Sequence, residues 1–169
     1  PAELKHFQIA TGLSSKSLVK GRFTLKAENY DQLIDSPFEL AEQSRFSFEA
    51  NGIPHEFVIS GKHTTNLTRL QADMAKICQT EIDMFGSAPF QNYTFMTMAT
   101  GNSYGGLEHC NSTSLITPRD DLPKADEAEE PSKDYQRFLG LCSHEYFHSW
   151  LVKFIRPENF VNYDLNKES

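Results

Sequence analysis

Cysteine, basic charge and long apolar runs are all scarce in this chain of 169 residues, and each scarcity removes a class of protein. The 3 cysteines, Cys78, Cys110 and Cys142, are odd in number and widely spaced, so neither a disulfide framework nor a CxxC zinc ribbon is available. Each is expected to be a small buried hydrophobe. No apolar run approaches the roughly 20 residues of a membrane-spanning helix, and no basic stretch followed by an apolar one marks a signal peptide. The chain opens at Pro1 without a Met, so any leader is expected upstream, and localisation stays open. Lys and Arg number 16 against 23 Asp and Glu, a net charge of -7 that argues against nucleic acid as a partner. What is present is an ordinary balance, 38% hydrophobic and 23% charged, enough for one domain with a core or a large piece of a bigger enzyme.

The periodicities predict strands, then a helix, then strands, then a second helix: an α+β fold with a mixed or antiparallel sheet. Residues 21–27 and 45–50 alternate apolar and polar as strands do. Asn51-Gly52 is a hairpin turn leading into a second apolar strand over 56–60. Asn66 can cap a helix whose apolar residues Leu67, Leu70, Met74, Ile77, Cys78, Ile82 and Phe85 recur at three and four, ending at Gly86. Residues 93–100 read as a buried strand, 101–106 as a Gly-rich loop and 107–117 as one further strand. An acid-rich segment punctuated by Pro118, Pro123 and Pro131 reads as a surface loop. Ser132 then caps a helix expected to run to about Lys153, with Phe138, Leu139, Cys142, Tyr146, Phe147 and Trp150 on its apolar face.

Inside that last helix stands His144-Glu145-Tyr146-Phe147-His148, an HExxH pattern. Positions i and i+4 lie one turn apart on the same helix face, so both imidazoles can reach one metal ion at about 2.0 to 2.1 Å. Glu145, rotated about 100° around the axis, is placed to take a proton from a metal-bound water without ligating the metal. Zn2+ in such a site brings the pKa of water toward about 7 and polarises a carbonyl, which makes hydrolysis of an amide the implied chemistry. The bland alternative is a His pair that is merely packed or solvated. A catalytic zinc needs a third protein ligand. After His148 only Glu158, Asp164 and Glu168 carry carboxylates, no further His follows, and Glu158 and Glu168 both read more naturally as surface acids.

The run from His144 to Asp164 (HEYFHSWLVKFIRPENFVNYD) and that from Tyr104 to Ser112 (YGGLEHCNS) resemble the glycyl aminopeptidase family. So do residues 28–40 (ENYDQLIDSPFEL), 54–61 (PHEFVISG) and 119–123 (RDDLP). These are bacterial zinc metallopeptidases, related to aminopeptidase N, that often carry a PDZ domain near the C-terminus. The resemblance implies a thermolysin-like zincin, or gluzincin, catalytic domain preceded by the end of a β domain, with residues 1–45 in the latter and 46–169 in the former. It implies a peptide substrate and a cytoplasmic or periplasmic setting, and it leaves the oligomeric state open.

The resemblance also sets Gly105, Gly106, Leu107, Glu108 and His109 where the relatives have a GAMEN-type motif. Glycines there let a substrate backbone lie along an edge strand, and a carboxylate beside a cationic amine selects free N-termini. Glu108 is the residue implied for the amine, with His109 orienting it or forming the pocket wall. Alternatively Gly105 and Gly106 form a turn needing positive φ, with Glu108 on a solvated strand face. The resemblance puts the third zinc ligand, a Glu, and the oxyanion stabiliser beyond Ser169, so the 169 residues alone are expected to be metal-poor and inactive. Leu151 stands where the relatives usually have Asn. An endopeptidase on the same scaffold and a non-catalytic peptide-binding module are the competing readings.

Overall fold

The computed structural model describes residues 6–19, 22–125 and 130–158. Nine strands and three α-helices follow one another in the described residues. β1 (Gln8–Thr11) pairs antiparallel with β4 (Phe38–Ala41), and β2 (Ser14–Val19) with β3 (Arg22–Lys26). The short helix α1 (Tyr30–Ile34) precedes β4 and is capped by the Asn29 side chain.

The centre is a five-stranded mixed sheet of β5 (Gln43–Ala50), β6 (Ile53–Ser60), β7 (Tyr93–Thr100), β8 (Gly105–Glu108) and β9 (Ser112–Pro118). Its order is β5-β6-β7-β9-β8, with β6, β7 and β9 parallel and the two outer strands antiparallel to their neighbours. The β5–β6 hairpin turns on Asn51 and Gly52, both at positive φ (50° and 74°), the combination that matches the twist of paired strands. Pro54 lies within β6, so that strand begins earlier than its apolar run.

Helix α2 (Leu67–Phe85) makes the crossover from β6 to β7. It opens with the Asn66 side chain accepting from the Arg69 amide and closes at Gly86 in the left-handed region, φ 78°. Leu70, Met74, Cys78 and Ile82 face the core at helical spacing. With α3 (Lys133–Phe147) they cover one face of the sheet, where Phe57, Phe95, Phe138, Cys142, Tyr146 and Trp150 pack together. Trp150 stacks on Phe85 at 4.8 Å and donates from Nε1 to the Ser87 carbonyl at 2.7 Å. On the other face Val58 and Met96 pack against Ala10 of β1.

Three expectations are corrected. Residues 107–117 are not one strand: the chain reverses at His109-Cys110-Asn111, where the His109 amide bonds the Ser112 carbonyl at 2.9 Å, giving the β8–β9 hairpin. Asn111 ties that turn down, its amide donating to the Gly12 carbonyl at 2.8 Å and to Asn92 at 3.1 Å. The second long helix ends at Phe147, with His148 as a cap still in right-handed geometry (φ -61°, ψ -18°), and the chain continues in irregular turns. There the Lys153 and Ile155 amides reach back five residues, to His148 and Trp150, so the regular ladder is broken. Cys78 and Cys142 are buried as expected, but Cys110, at the tip of the turn, is exposed.

Candidate active site

The HExxH stretch occupies the last turn of α3, held down by Tyr146 at its centre. Tyr146 is fully buried, its hydroxyl 2.8 Å from His55 Nε2 and its ring against Phe95 and Trp150. With Tyr146 facing the core, His144 and His148 emerge together toward the β8 edge. Their Nε2 atoms are 3.1 Å apart and their rings are nearly perpendicular, at 88°. His148 Nδ1 lies 2.8 Å from the Leu151 carbonyl. A carbonyl only accepts, so Nδ1 carries the proton and the Nε2 lone pair points away from it, toward His144. The Leu151 side chain contributes nothing polar, but its backbone orients the ring.

Glu145 is 5% exposed and lies directly beneath Gly106. A Cβ added at Gly106 would come within 2.5 Å of Glu145 Cγ and Cδ, so this glycine is required by close approach. Neither Gly105 nor Gly106 has a positive φ, which removes the reading of the pair as a tight turn. Burial raises the Glu145 pKa; His144 opposes the rise, Glu108 reinforces it, and His148 and His109 oppose it. Glu108, Glu145 and His148 each offer a ligand atom within 4.8 Å of the others. Glu108 and the HExxH residues thus converge where α3 meets β8, and β8 is the outer strand of the sheet with one edge unpaired among the described residues.

These donors suit a divalent zinc ion. Two nitrogens on a tetrahedral zinc stand about 3.3 Å apart, close to the separation of the two Nε2 atoms. Glu158 is exposed and apart from this group. Asp164 and Glu168 lie outside the described residues.

His109 turns away from the groove. It is buried, its Nδ1 is 3.4 Å from Asp35 Oδ1, and its Nε2 has no hydrogen-bond partner among the described residues. Asp35, just after α1, also accepts from the Cys110 amide at 2.8 Å and from Lys153 Nζ at 2.9 Å. Burial alone would raise the Asp35 pKa, but the hydrogen bonds from His109, Cys110 and Lys153 together hold it well below the usual carboxylate range. The sequence alone does not reveal this anchor, because its partners lie 74, 75 and 118 residues away. An open cavity of about 790 Å³ borders Asp35, Cys110, Asn111 and Lys153. It lies behind the turn, and none of Glu108, His144, Glu145 or His148 lines it.

A second unforeseen acid is Glu81, whose place on the core side of α2 follows from the same spacing as Cys78 and Ile82. It is 7% exposed and accepts from Ser143 Oγ at 2.7 Å, next to His144.

Comparison with known proteins finds relatives in sequence and in fold. The model of the M61 glycyl aminopeptidase family matches residues 137–169, and that of the peptidase M61 N-terminal domain matches residues 1–42. The crystal structure of an aminopeptidase N family protein from Idiomarina loihiensis is 48% identical, with a TM-score of 0.91 over 100% of this chain and 29% of its own. An M1 zinc metallopeptidase from Deinococcus radiodurans shares the fold at 13% identity, with a TM-score of 0.53 over 86% of this chain and 32% of its own. A two-domain M1 zinc metallopeptidase variant bound to L-arginine superposes equally well, with a TM-score of 0.53 at 13% identity over 86% of this chain and 32% of its own. No curated protein gives a significant match. The chain spans less than a third of the length of the structures it resembles. With family matches at both ends and a close structural relative along its whole length, the chain belongs to the M61 glycyl aminopeptidase family.

Proposed function

We propose that this chain is the front part of a thermolysin-like catalytic unit of a zinc aminopeptidase, with residues 1–45 closing a preceding β domain. The observation that carries the reading is the convergence of the His144 and His148 Nε2 atoms, 3.1 Å apart, beside the buried Glu145 and the edge-strand Glu108. In this reading His144 and His148 hold Zn2+, and a third protein ligand and the oxyanion stabiliser come from beyond Ser169. A bound zinc ion supplies Lewis acidity toward a peptide carbonyl and toward water.

The chain's own residues supply the rest. Glu145 takes the proton from the attacking water and passes it to the leaving amine; its burial favours this by raising its proton affinity. The unpaired edge of β8 receives the substrate backbone as an added strand, and Gly105 and Gly106 leave that edge bare of side chains. Glu108 pairs with the free N-terminal ammonium group. His109, through Asp35, fixes the turn that carries Glu108. The Leu151 carbonyl keeps His148 in the tautomer that leaves Nε2 free.

The test is Glu145→Gln in the complete gene product. Loss of alanine or glycine release from short peptides by at least about a hundredfold, with zinc content unchanged, supports the assignment. Retained turnover sinks it. Cleavage of N-terminally blocked peptides at the rate of free ones would instead make the enzyme an endopeptidase. Peptide binding that survives chelation, with no hydrolysis, would make it a binding module. Glu108→Gln separates the two parts a carboxylate at that place can play: a rise in KM for free-amine substrates at full zinc content marks the amine partner, and a loss of zinc marks a ligand.

A further inference from the structure

Arg137 has no part in the chemistry above, yet its side chain is held as if for use. It lies seven residues before His144, so the two leave α3 on the same face, about 10.5 Å apart along the axis. Its guanidinium carbon sits 3.8 Å from the centre of the Tyr104 ring, and the Tyr104 hydroxyl donates to the Arg137 carbonyl at 3.1 Å. Asp121 stands 3.9 Å away, near enough to steady the cation and too far for a hydrogen bond. Half of the Arg137 side chain is exposed, and among the described residues no hydrogen bond engages the guanidinium.

Between Arg137 and His144 on that face stands Gly140. A Cβ there would meet nothing within 4 Å. An open lane, bare of a side chain at Gly140, therefore runs along α3 from the histidine pair to the Tyr104–Arg137 stack. α3 and β8 run in the same sense along it: Tyr104 faces Arg137, Gly106 faces Glu145, and Glu108 faces His148.

Resting on the proposed pairing of Glu108 with the substrate amine, the direction of a bound peptide follows. Its N-terminus lies at Glu108, its first carbonyl at the histidines, and the remainder runs antiparallel to β8 toward Tyr104. At about 3.3 to 3.6 Å per extended residue, two or three residues past the scissile bond cover the distance to Arg137. We propose that Arg137, stacked on Tyr104, binds the C-terminal carboxylate of short peptide substrates and so sets a preference for tri- and tetrapeptides. A planar guanidinium presents a fork of donors that matches a carboxylate, and the stack on Tyr104 fixes that plane before the substrate arrives.

The experiment measures kcat/KM for tri- and tetra-alanine, each as free acid and as C-terminal amide, in the complete gene product and its Arg137→Gln variant. The acid-to-amide ratio is read within each protein, so the amide serves as internal reference. The expected ratio is about threefold to tenfold in favour of the acid for the parent and near one for the variant. In the parent alone the ratio should also shrink toward one as salt rises, which tests the inference even if the variant does not fold. A ratio near one in the parent, or the same ratio in both proteins, overturns this inference and leaves the aminopeptidase reading standing. Release of no alanine from any of the four peptides overturns that reading, and this inference with it.

Discussion

Glu81 offers a quantitative test of how the helix that carries His144 and His148 is supported. Its carboxyl is almost fully buried between α2 and α3; Oε1 accepts from Ser143, and Oε2 has no partner among the described residues. Burial pushes its pKa up from 4.5 to about 7, and the Ser143 hydrogen bond only partly counters this. Because the folded form binds the proton more tightly than the unfolded chain, the contribution of Glu81 to stability is fully present below about pH 4.5 and is lost as the pH rises to about 7. A rise of that size corresponds to ~3 kcal/mol at about 1.4 kcal/mol per unit. Glu81→Gln removes the ionisable group and keeps an acceptor for Ser143, but leaves its amide short of partners at a cost of about 1 kcal/mol. The variant should be more stable than the parent by ~2 kcal/mol at pH 8 and slightly less stable at pH 4.5. Urea unfolding of both chains at the two pH values reads this directly. If the difference between them stays constant with pH, Glu81 is not a buried proton carrier and the reasoning fails.

Two further outcomes follow from other contacts. Gly106→Ala should cost ~1–3 kcal/mol in thermal unfolding, since its Cβ meets Glu145 at 2.5 Å, whereas Gly105→Ala, with open space around it, should stay within about 0.5 kcal/mol. An equal effect of the two would refute the close approach of β8 to Glu145. Asp35→Asn should destabilise the chain at pH 7 by ~1–3 kcal/mol, because it weakens the Lys153 pair and places an amide where His109 and the Cys110 amide need an acceptor. The depressed pKa of Asp35 means that its contribution is present above about pH 4 and fades as acid protonates the parent carboxyl, so the gap should narrow on acidification. A gap that is unchanged at low pH would refute the role given to its charge.

Much of the fold was legible because its signals are local. Asn51-Gly52 demands the positive φ that a tight hairpin uses, and Asn66 and Gly86 bracket a helix whose apolar spacing admits one buried face. The HExxH pair was legible for the same reason: one helical turn is a fixed distance. The edge strand was harder, because Leu107 to Thr117 has the composition of a continuous strand and the reversal at His109-Cys110-Asn111 depends on Gly12 and Asn92 from elsewhere. The end of α3 was overrun because Trp150 continues the apolar spacing while its indole is drawn off to the Ser87 carbonyl. Asp35 has no local signal at all, and Glu81 has only the helical spacing that sets it on the core side of α2. Their meaning comes from partners on other elements, and a single sequence does not record which residues face each other across a core.

The Asp35 carboxylate grips the turn after Glu108 through His109 and Cys110, and the segment after His148 through Lys153. One small group therefore acts as a common rivet for the strand that would seat a peptide and for the stretch following His144 and His148. Slack introduced on either side is felt on the other, so the two walls of the groove keep their alignment together or lose it together.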